Sequence, residues 1–267
     1  MPSEKTQVIH YASGPALSDG PFAIISDIHS NLTALTAVME DIAGRGITDI
    51  VCLGDTVGYG PDPIECWHLV KDSCRIIIMG NHDLALVSPV VKRFHPRALS
   101  AIEWTRDRIG QEDNGEEIMN SIADLPRSYA TGEYLFVHGS PAGKTMDYLL
   151  PSDAFDRPRM EKEFHEVAHY AFNGHTHIPG VIEQGQGFQP PEALADGIYQ
   201  LGDQKAVINV GSVGQPRDGN PRACYVTVSD RAVSYHRIDY DVAKVCERIF
   251  AEPRLDPFLG KRLFTGR

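Results

Sequence analysis

Three short apolar runs open the chain, "FAIIS" (residues 22–26), "DIVCL" (49–53) and "RIIIM" (75–79), each separated from the next by a stretch with helical character. In the first gap Leu32, Leu35, Val38, Met39 and Ile42 recur at helical spacing, Asn31 or Ser30 can cap the start, and Gly44 and Gly46 stop it. The second gap predicts a helix over 63–72, with Pro63 suited to a first turn. Strand–helix–strand–helix–strand order leads to right-handed crossovers and a largely parallel sheet. That constraint decides where functional groups can sit. In an open α/β sheet, ligands gather outside the carboxyl ends of the strands.

Further along, "HPRALSAIEWTRDRI" and "GEEIMNSIADLP" are amphipathic and predict two helices, so residues 84–133 are expected to form a helical insert beside the sheet. Strands resume at "YLFV" (134–137). A long Pro- and Asp-containing loop is expected over 141–160, a helix near 158–168, and then "YAF" (170–172). After residue 178 the runs "GVIEQG", "GIYQLG", "AVINVG", "ACYVTVS" and "AVSYHRID" alternate and are punctuated by glycine, as in an antiparallel second sheet. "DVAKVCERIF" predicts a last helix, and "GKRLFTGR" a basic tail. Residues 1–20 are expected to be a loosely held arm and 21–267 a single domain.

With 42% hydrophobic and 23% charged residues, the chain has the composition of a globular protein rather than a disordered one. Its formal net charge of −11 disfavours non-specific binding to nucleic-acid backbone, while leaving room for a local positive site made by metal ions. The five cysteines, Cys52, Cys66, Cys74, Cys224 and Cys246, show no CxxC spacing, which points away from a disulfide framework and towards a reducing, cytoplasmic setting. No stretch approaches the length of a membrane span, and the first twenty residues lack the apolar centre of a signal peptide.

The polar residues that interrupt this pattern fall at the strand ends. "FAIIS" runs into Asp27 and His29, "DIVCL" into Gly54 and Asp55, and "RIIIM" into Gly80, Asn81, His82 and Asp83. "YLFV" runs into His138, and "YAF" into "NGHTH", with His175 and His177 one residue apart. In a strand, residues i and i+2 face one side, so a metal would satisfy both rings of that pair. Singly, Asp27 could be a helix cap, His138 a satisfied core histidine and the pair "HTH" surface residues beside a turn. Seven candidate ligands at strand ends are too many for one tetrahedral ion and suit two ions sharing Asp55.

In order along the chain the motifs read "DIH", "GDTVGYG", "GNHD", "VHGS" and "GHTH". This set resembles the calcineurin-like metallophosphoesterase superfamily, and within it the small bacterial and archaeal phosphodiesterases. The resemblance covers the whole motif set from 27 to 177 and is looser over 84–133 and 178–240. It implies a four-layer αββα sandwich, an α/β (α+β) fold in which two facing mixed β-sheets are flanked by helices. It also implies one ion held by Asp27, His29, Asp55 and His177 and a second by Asp55, Asn81, His138 and His175. His82 matches the histidine that assists the leaving group. Mn²⁺ or Fe is the expected ion, with Zn²⁺, Ni²⁺ or Co²⁺ as alternatives that a mixed N/O donor set does not separate.

Where protein Ser/Thr phosphatases have Asp and Arg in the second motif, this chain has Gly58 and Tyr59. That removes the carboxylate which would orient His82, for which neighbouring Asp83 is a substitute unless it caps the following helix. It also removes an arginine that would grip phosphate. Tyr59 either borders the substrate or packs within its loop. The glycine-rich stretch "NVGSVGQPRDGNPR" (209–222) offers Arg217 and Arg222 for bidentate phosphate binding. His10, His68, His95, His165, His169 and His236 lack such company. The expectation is a phosphodiesterase acting on a small phosphorylated substrate, with a hydroxide shared by two ions about 3.5–4 Å apart attacking phosphorus in line. A phosphomonoesterase acting on a nucleotide or small metabolite is the enzymatic alternative. A non-catalytic scaffold of the same fold is the other, and a pure scaffold has no need of seven matched ligands. An amidohydrolase would want HxH on the first strand, which here carries "DIH".

Overall fold

A computed structural model describes residues 17, 20–88 and 94–267. The expected N-terminal arm, with His10, lies almost wholly outside the described residues. Twelve strands form two sheets. In chain order they are β1 (Phe22–Ile25), β2 (Asp49–Cys52), β3 (Ile76–Ile77), β4 (Ser128–Thr131), β5 (Tyr134–Val137), β6 (Tyr170–Asn173), β7 (Gly180–Glu183), β8 (Phe188–Gln189), β9 (Ile198–Gln200), β10 (Ala206–Asn209), β11 (Ala223–Ser229) and β12 (Ala232–Ile238). One six-stranded sheet runs β3-β2-β1-β11-β12-β9 and the other β4-β5-β6-β10-β7-β8. Parallel pairing is confined to β1–β2, β2–β3, β5–β6 and β6–β10, so both sheets are mixed.

The helices are α1 (Leu32–Gly44), α2 (Pro63–Ser73), α3 (Asn81–Val87), α4 (Pro96–Gly110), α5 (Gly115–Ala123), α6 (Arg157–His165), α7 (Val242–Ala251) and α8 (Phe258–Lys261). Asn31 caps α1, its side chain accepting from the Ala34 amide at 3.0 Å. Alternation along the strands builds the four layers. Phe22, Ile24, Val51 and Leu53 face Phe136, Tyr170, Phe172 and Ile208 of the other sheet, forming the central core. Ala23, Ile25, Ile50 and Cys52 face the opposite way, onto Leu35, Val38 and Ile42 of α1. Behind the second sheet, Leu135, Val137 and Ala171 pack on Met160 and Phe164 of α6. The fold is therefore the two-sheet sandwich that the motif set implies.

Several details differ from the sequence reading. β3 is two residues long, because it pairs on one side only and turns at once into the site. α3 begins at Asn81 itself, so the "GNHD" motif is a helix start. The segment 84–133 ends in β4, which pairs antiparallel with β5, so the insert is not helical to its end. The strands after 178 do not form a sheet of their own. β7, β8 and β10 join β6, while β9, β11 and β12 extend the first sheet from β1. The "basic tail" begins within α8, and Leu259 of that helix packs with Leu263 of the tail on Val245 and Ile249 of α7 and on Trp104 of α4. No helix among the described residues is long and apolar enough to cross a membrane.

Gly54, at the end of β2, has φ +93°, and a methyl group there would run into the Gly80 backbone. Gly54→Ala should lower unfolding stability by more than about 1 kcal/mol in urea denaturation, because both the backbone angle and the space exclude a Cβ.

Candidate metal centre

The five strand ends singled out in the sequence meet between the carboxyl ends of the two sheets. β1, β2 and β3 deliver Asp27, His29, Asp55 and Asn81 from one sheet. β5 and β6 deliver His138, His175 and His177 from the other. All seven side chains are buried. Asp27, His29, Asp55, His175 and His177 have φ between 49° and 63°. Five non-glycine residues in the left-handed region within one cluster mark stored backbone strain, of the sort that persists only where surrounding structure enforces it.

Hydrogen bonds supply that enforcement. The Asp27 amide donates to the Gly54 carbonyl (3.0 Å), and the His29 amide to that of Asp55 (2.9 Å). The Asp83 carboxylate accepts from the backbone amides of Asp55 (2.7 Å), Thr56 (3.1 Å) and Gly80 (3.0 Å). Asp83 thus caps α3 and ties the two acidic loops together, and it does not orient His82. Asn173, Asn209 and Ser212 hold the other side, donating to the carbonyls of Gly139 (2.8 Å), Gly174 (2.7 Å) and Asp27 (2.8 Å). These three escaped the sequence reading, although polar residues at the ends of apolar runs are the signal that would have found them.

One oxygen of each aspartate is used locally. Asp27 Oδ2 accepts from the His175 amide (2.9 Å) and Asp55 Oδ1 from the His82 amide (2.7 Å). The second oxygens point inward. His138 Nδ1 donates to the Leu53 carbonyl (2.9 Å) and His177 Nδ1 to that of Gln215 (2.5 Å), so in the neutral rings each Nε2 carries a lone pair. His177 Nε2 lies 3.2 Å from Asp27 Oδ1 and 3.2 Å from His29 Nε2. His138 Nε2 lies 3.0 Å from Asn81 Oδ1, 3.1 Å from His175 Nδ1 and 3.4 Å from Asp55 Oδ2. Lone pairs at such distances repel unless a cation lies among them, so the donor set fits metal ions. Candidate ligand atoms of Asp27, His29 and His177 form one group, and those of Asp55, His138 and His175 another. A third comprises His29, Asp55 and His82, sharing one residue with each of the other two.

His82 packs its ring against Tyr59 (4.4 Å between centroids), His29 (4.8 Å) and Phe94 (5.2 Å). Its Nδ1 has no hydrogen-bond partner among the described residues. Gly58 is what lets the ring in, since a Cβ there would come within 2.5 Å of that nitrogen. Ring packing, in place of a carboxylate, positions His82, and burial pushes its pKa down to about 4. Tyr59 both packs on these imidazoles and borders the cleft beside them. Arg217 sits over the cluster. Its amide bonds to the His177 carbonyl (3.2 Å), its Nη2 donates to Gln215 Oε1 (2.8 Å), and its Nε has no partner among the described residues. Arg222 is exposed and bonds within its own turn to Asn220, so the structure does not bring it to the cluster. Arg262, taken in the sequence as part of a basic tail, approaches Tyr59 and Arg217. Burial and then Arg217 push its pKa down to about 10. Of the other histidines, His95 caps α4 and borders the cleft, while His236 bonds to Thr227 (2.8 Å).

Two facing mixed sheets with this Asp/His cluster between their carboxyl ends define the metallophosphoesterase fold. The chain belongs to the calcineurin-like phosphoesterase superfamily, whose domain pattern matches residues 21–231. It is 37% identical over 253 residues to an uncharacterized protein of Methanocaldococcus jannaschii, covering 92% of this chain and 98% of that one. It is similar to the crystal structure of a metallophosphoesterase from Sphaerobacter thermophilus, with TM-score 0.79 and 33% identity over 93% of this chain and 99% of that one. A hypothetical protein from Pyrococcus horikoshii shares the fold, with TM-score 0.69 and 20% identity over 92% and 98% of the two chains.

Without a metal, a proton is what the inward carboxylates attract. Burial works against charge on His138, but the Asp55 carboxylate, the Asp27 charge and the hydrogen bond to Leu53 together outweigh it and lift the pKa from 6.5 to about 9. An ion must displace that proton to reach Nε2. Its affinity for stripped protein should therefore rise by about tenfold per pH unit from pH 7 and level off near 9, with proton release visible in calorimetry. Affinity independent of pH over that window would mean His138 does not bind the ion.

Proposed function

We propose that this protein is a phosphoester hydrolase that uses two divalent ions, one held by Asp27, His29, Asp55 and His177 and the other by Asp55, Asn81, His138 and His175. What carries this reading is the set of buried carboxylate, carboxamide and imidazole atoms that face one another at 3.0–3.4 Å, in a fold whose family acts on phosphoesters. Divalent ions held there supply a water activated for attack and neutralise charge developing at phosphorus. The chain's own contribution is to fix the geometry and to add Arg217, whose guanidinium fork suits phosphoryl oxygens. Mn²⁺ or Fe is the proposed ion. Five free cysteines support a reducing, cytoplasmic setting.

The favoured substrate is a small phosphodiester. Gly58 and Tyr59 stand where a phosphatase would offer further polar groups to a dianionic monoester, and Arg222 does not reach the site. Metal-stripped protein should be inactive. Reloaded with Mn²⁺ it should bind two ions per chain and hydrolyse bis(4-nitrophenyl) phosphate faster than 4-nitrophenyl phosphate, with phosphopeptides poor. One ion at saturation would overturn the two-ion assignment, and preference for a phosphopeptide the choice of diester.

His82 is proposed to meet the leaving group, because its ring lies at the edge of the cluster and borders the cleft. Burial keeps the free ring neutral, so it takes up its proton once the bound phosphate anion offsets burial; such assistance is worth about 10²–10⁴-fold, and only where the leaving alkoxide needs a proton. His82→Ala should keep both ions and lose far more rate on alkyl or nucleotide esters than on nitrophenyl esters. Equal losses on both would restrict His82 to binding phosphate.

A further inference from the structure

A cleft of about 770 Å³ opens directly off Asn81, His82 and His175. That volume suits a ligand of nucleotide size. One wall is the start of α4 with the residues before it, Phe94, His95 and Ala98. The other is the loop after β5, with Ala142, Met146 and Tyr148. Two aromatic rings flank its inner end. Tyr148 stacks on the His175 imidazole at 3.8 Å and 20°, and Phe94 sets its edge to His82 at 5.2 Å and 89°. Tyr148 is 46% exposed in spite of that stacking, so its ring offers surface to the cleft. Arg159 fixes it there by donating to the Tyr148 carbonyl, while pairing with Asp153 at 3.0 Å.

Charge separates what the two sides of the cluster can accept. In the cleft, Arg159 and Lys162 are balanced by Asp147 and Glu163, and Glu163 is further occupied by the Ala142 amide at 2.8 Å. On the phosphate side, Arg217, which also reaches the Tyr148 side chain, has no carboxylate partner among the described residues. A polyphosphate tail would gain little in the cleft, whereas a flat uncharged group would bury apolar area against rings that are already positioned.

We propose that this cleft is the subsite for a planar aromatic ester group of the substrate, a nucleobase or a simple aryl ring, lodged between Phe94 and Tyr148. The proposal rests on the phosphoester reading and adds to it the chemistry of the group esterified to phosphate. With phosphorus at the ions and its anionic oxygens turned to Arg217, the organic group extends past His82 and His175 into the cleft. Stacking of this kind discriminates by about tenfold or more.

The test holds the leaving group constant. Methyl, phenyl and 5′-thymidyl phosphorofluoridates all release fluoride, which has no ring to fill the cleft, and differ only in the retained ester group. The phenyl and thymidyl esters should exceed the methyl ester in kcat/KM by about tenfold. Phe94→Ala and Tyr148→Ala should each collapse that ratio, and Tyr148→Phe, which keeps the ring, should preserve it. Calorimetry with non-hydrolysable phenylphosphonate and methylphosphonate should show the same order in affinity. Thymidyl above phenyl identifies a nucleobase, and phenyl at or above thymidyl identifies a simple aryl group. Metal-dependent turnover of all three at equal efficiency, or a ratio untouched by both alanine variants, overturns the aromatic subsite and leaves the phosphoester reading standing. No turnover of any ester, with ions bound, overturns both.

Discussion

Buried carboxylates and imidazoles that face one another dominate this structure. A carboxylate and an imidazole 3.2 Å apart would ordinarily form a hydrogen bond, but the His177 proton is committed to the Gln215 carbonyl on the far side of the ring. His138 likewise commits its Nδ1 proton to Leu53, and without a metal the Asp55 charge draws a second proton onto its Nε2. Each commitment turns a lone pair inward, so the cluster is stable only with positive charge at its centre. The fold supplies the rest by bringing strand ends from two sheets to one place. Neither sheet carries the cluster alone, since Asp27 and Asp55 come from one and His138, His175 and His177 from the other.

Holding such a cluster has a conformational cost, visible in the left-handed backbone at five of the seven residues. Asp83 shows how it is met. Its carboxylate gathers amides from both the Asp55 loop and the start of α3, and burial together with the Asp55 charge pushes its pKa up to about 7. A buried carboxylate is a strong acceptor for several amides at once. It fixes the positions of Asp55 and Asn81 without touching the centre itself.

The strand ends and the polar residues gathered at them were legible because both follow local rules. Apolar runs of four or five residues mark strands buried on both faces, and a chain rarely puts Asp, His and Gly together beyond such a run without a use for them. Sheet membership was not legible. β10 looks like its neighbours in sequence, yet it lies parallel to β6 and antiparallel to β7, a choice fixed by how the two sheets face each other. The same limit hid Tyr148 and Arg262. Tyr148 lies in a loop without periodicity and reaches His175 through Arg159. Arg262 arrives only because Leu259 and Leu263 anchor the C-terminal segment against α7 and α4. Arg217 and Arg222 were both candidates in sequence, and one backbone bond to His177 separates them in space.

Gly58 and Tyr59 connect these observations. An aspartate at 58 would place its Cβ where the His82 ring lies, so losing that side chain both removes an orienting carboxylate and admits the ring. Tyr59 then fills the neighbouring space, packing on His29 and His82 and, through the cluster beneath it, on α7 and α8. An exchange in two adjacent residues thereby shifts the support of His82 from charge to packing. It also couples the site to a C-terminal segment beyond residue 231, where the family pattern ends. Packing sets where a ring lies without fixing its proton. With no carboxylate partner, burial holds the free ring neutral, and the selectivity of the site falls more heavily on the shape of the cleft.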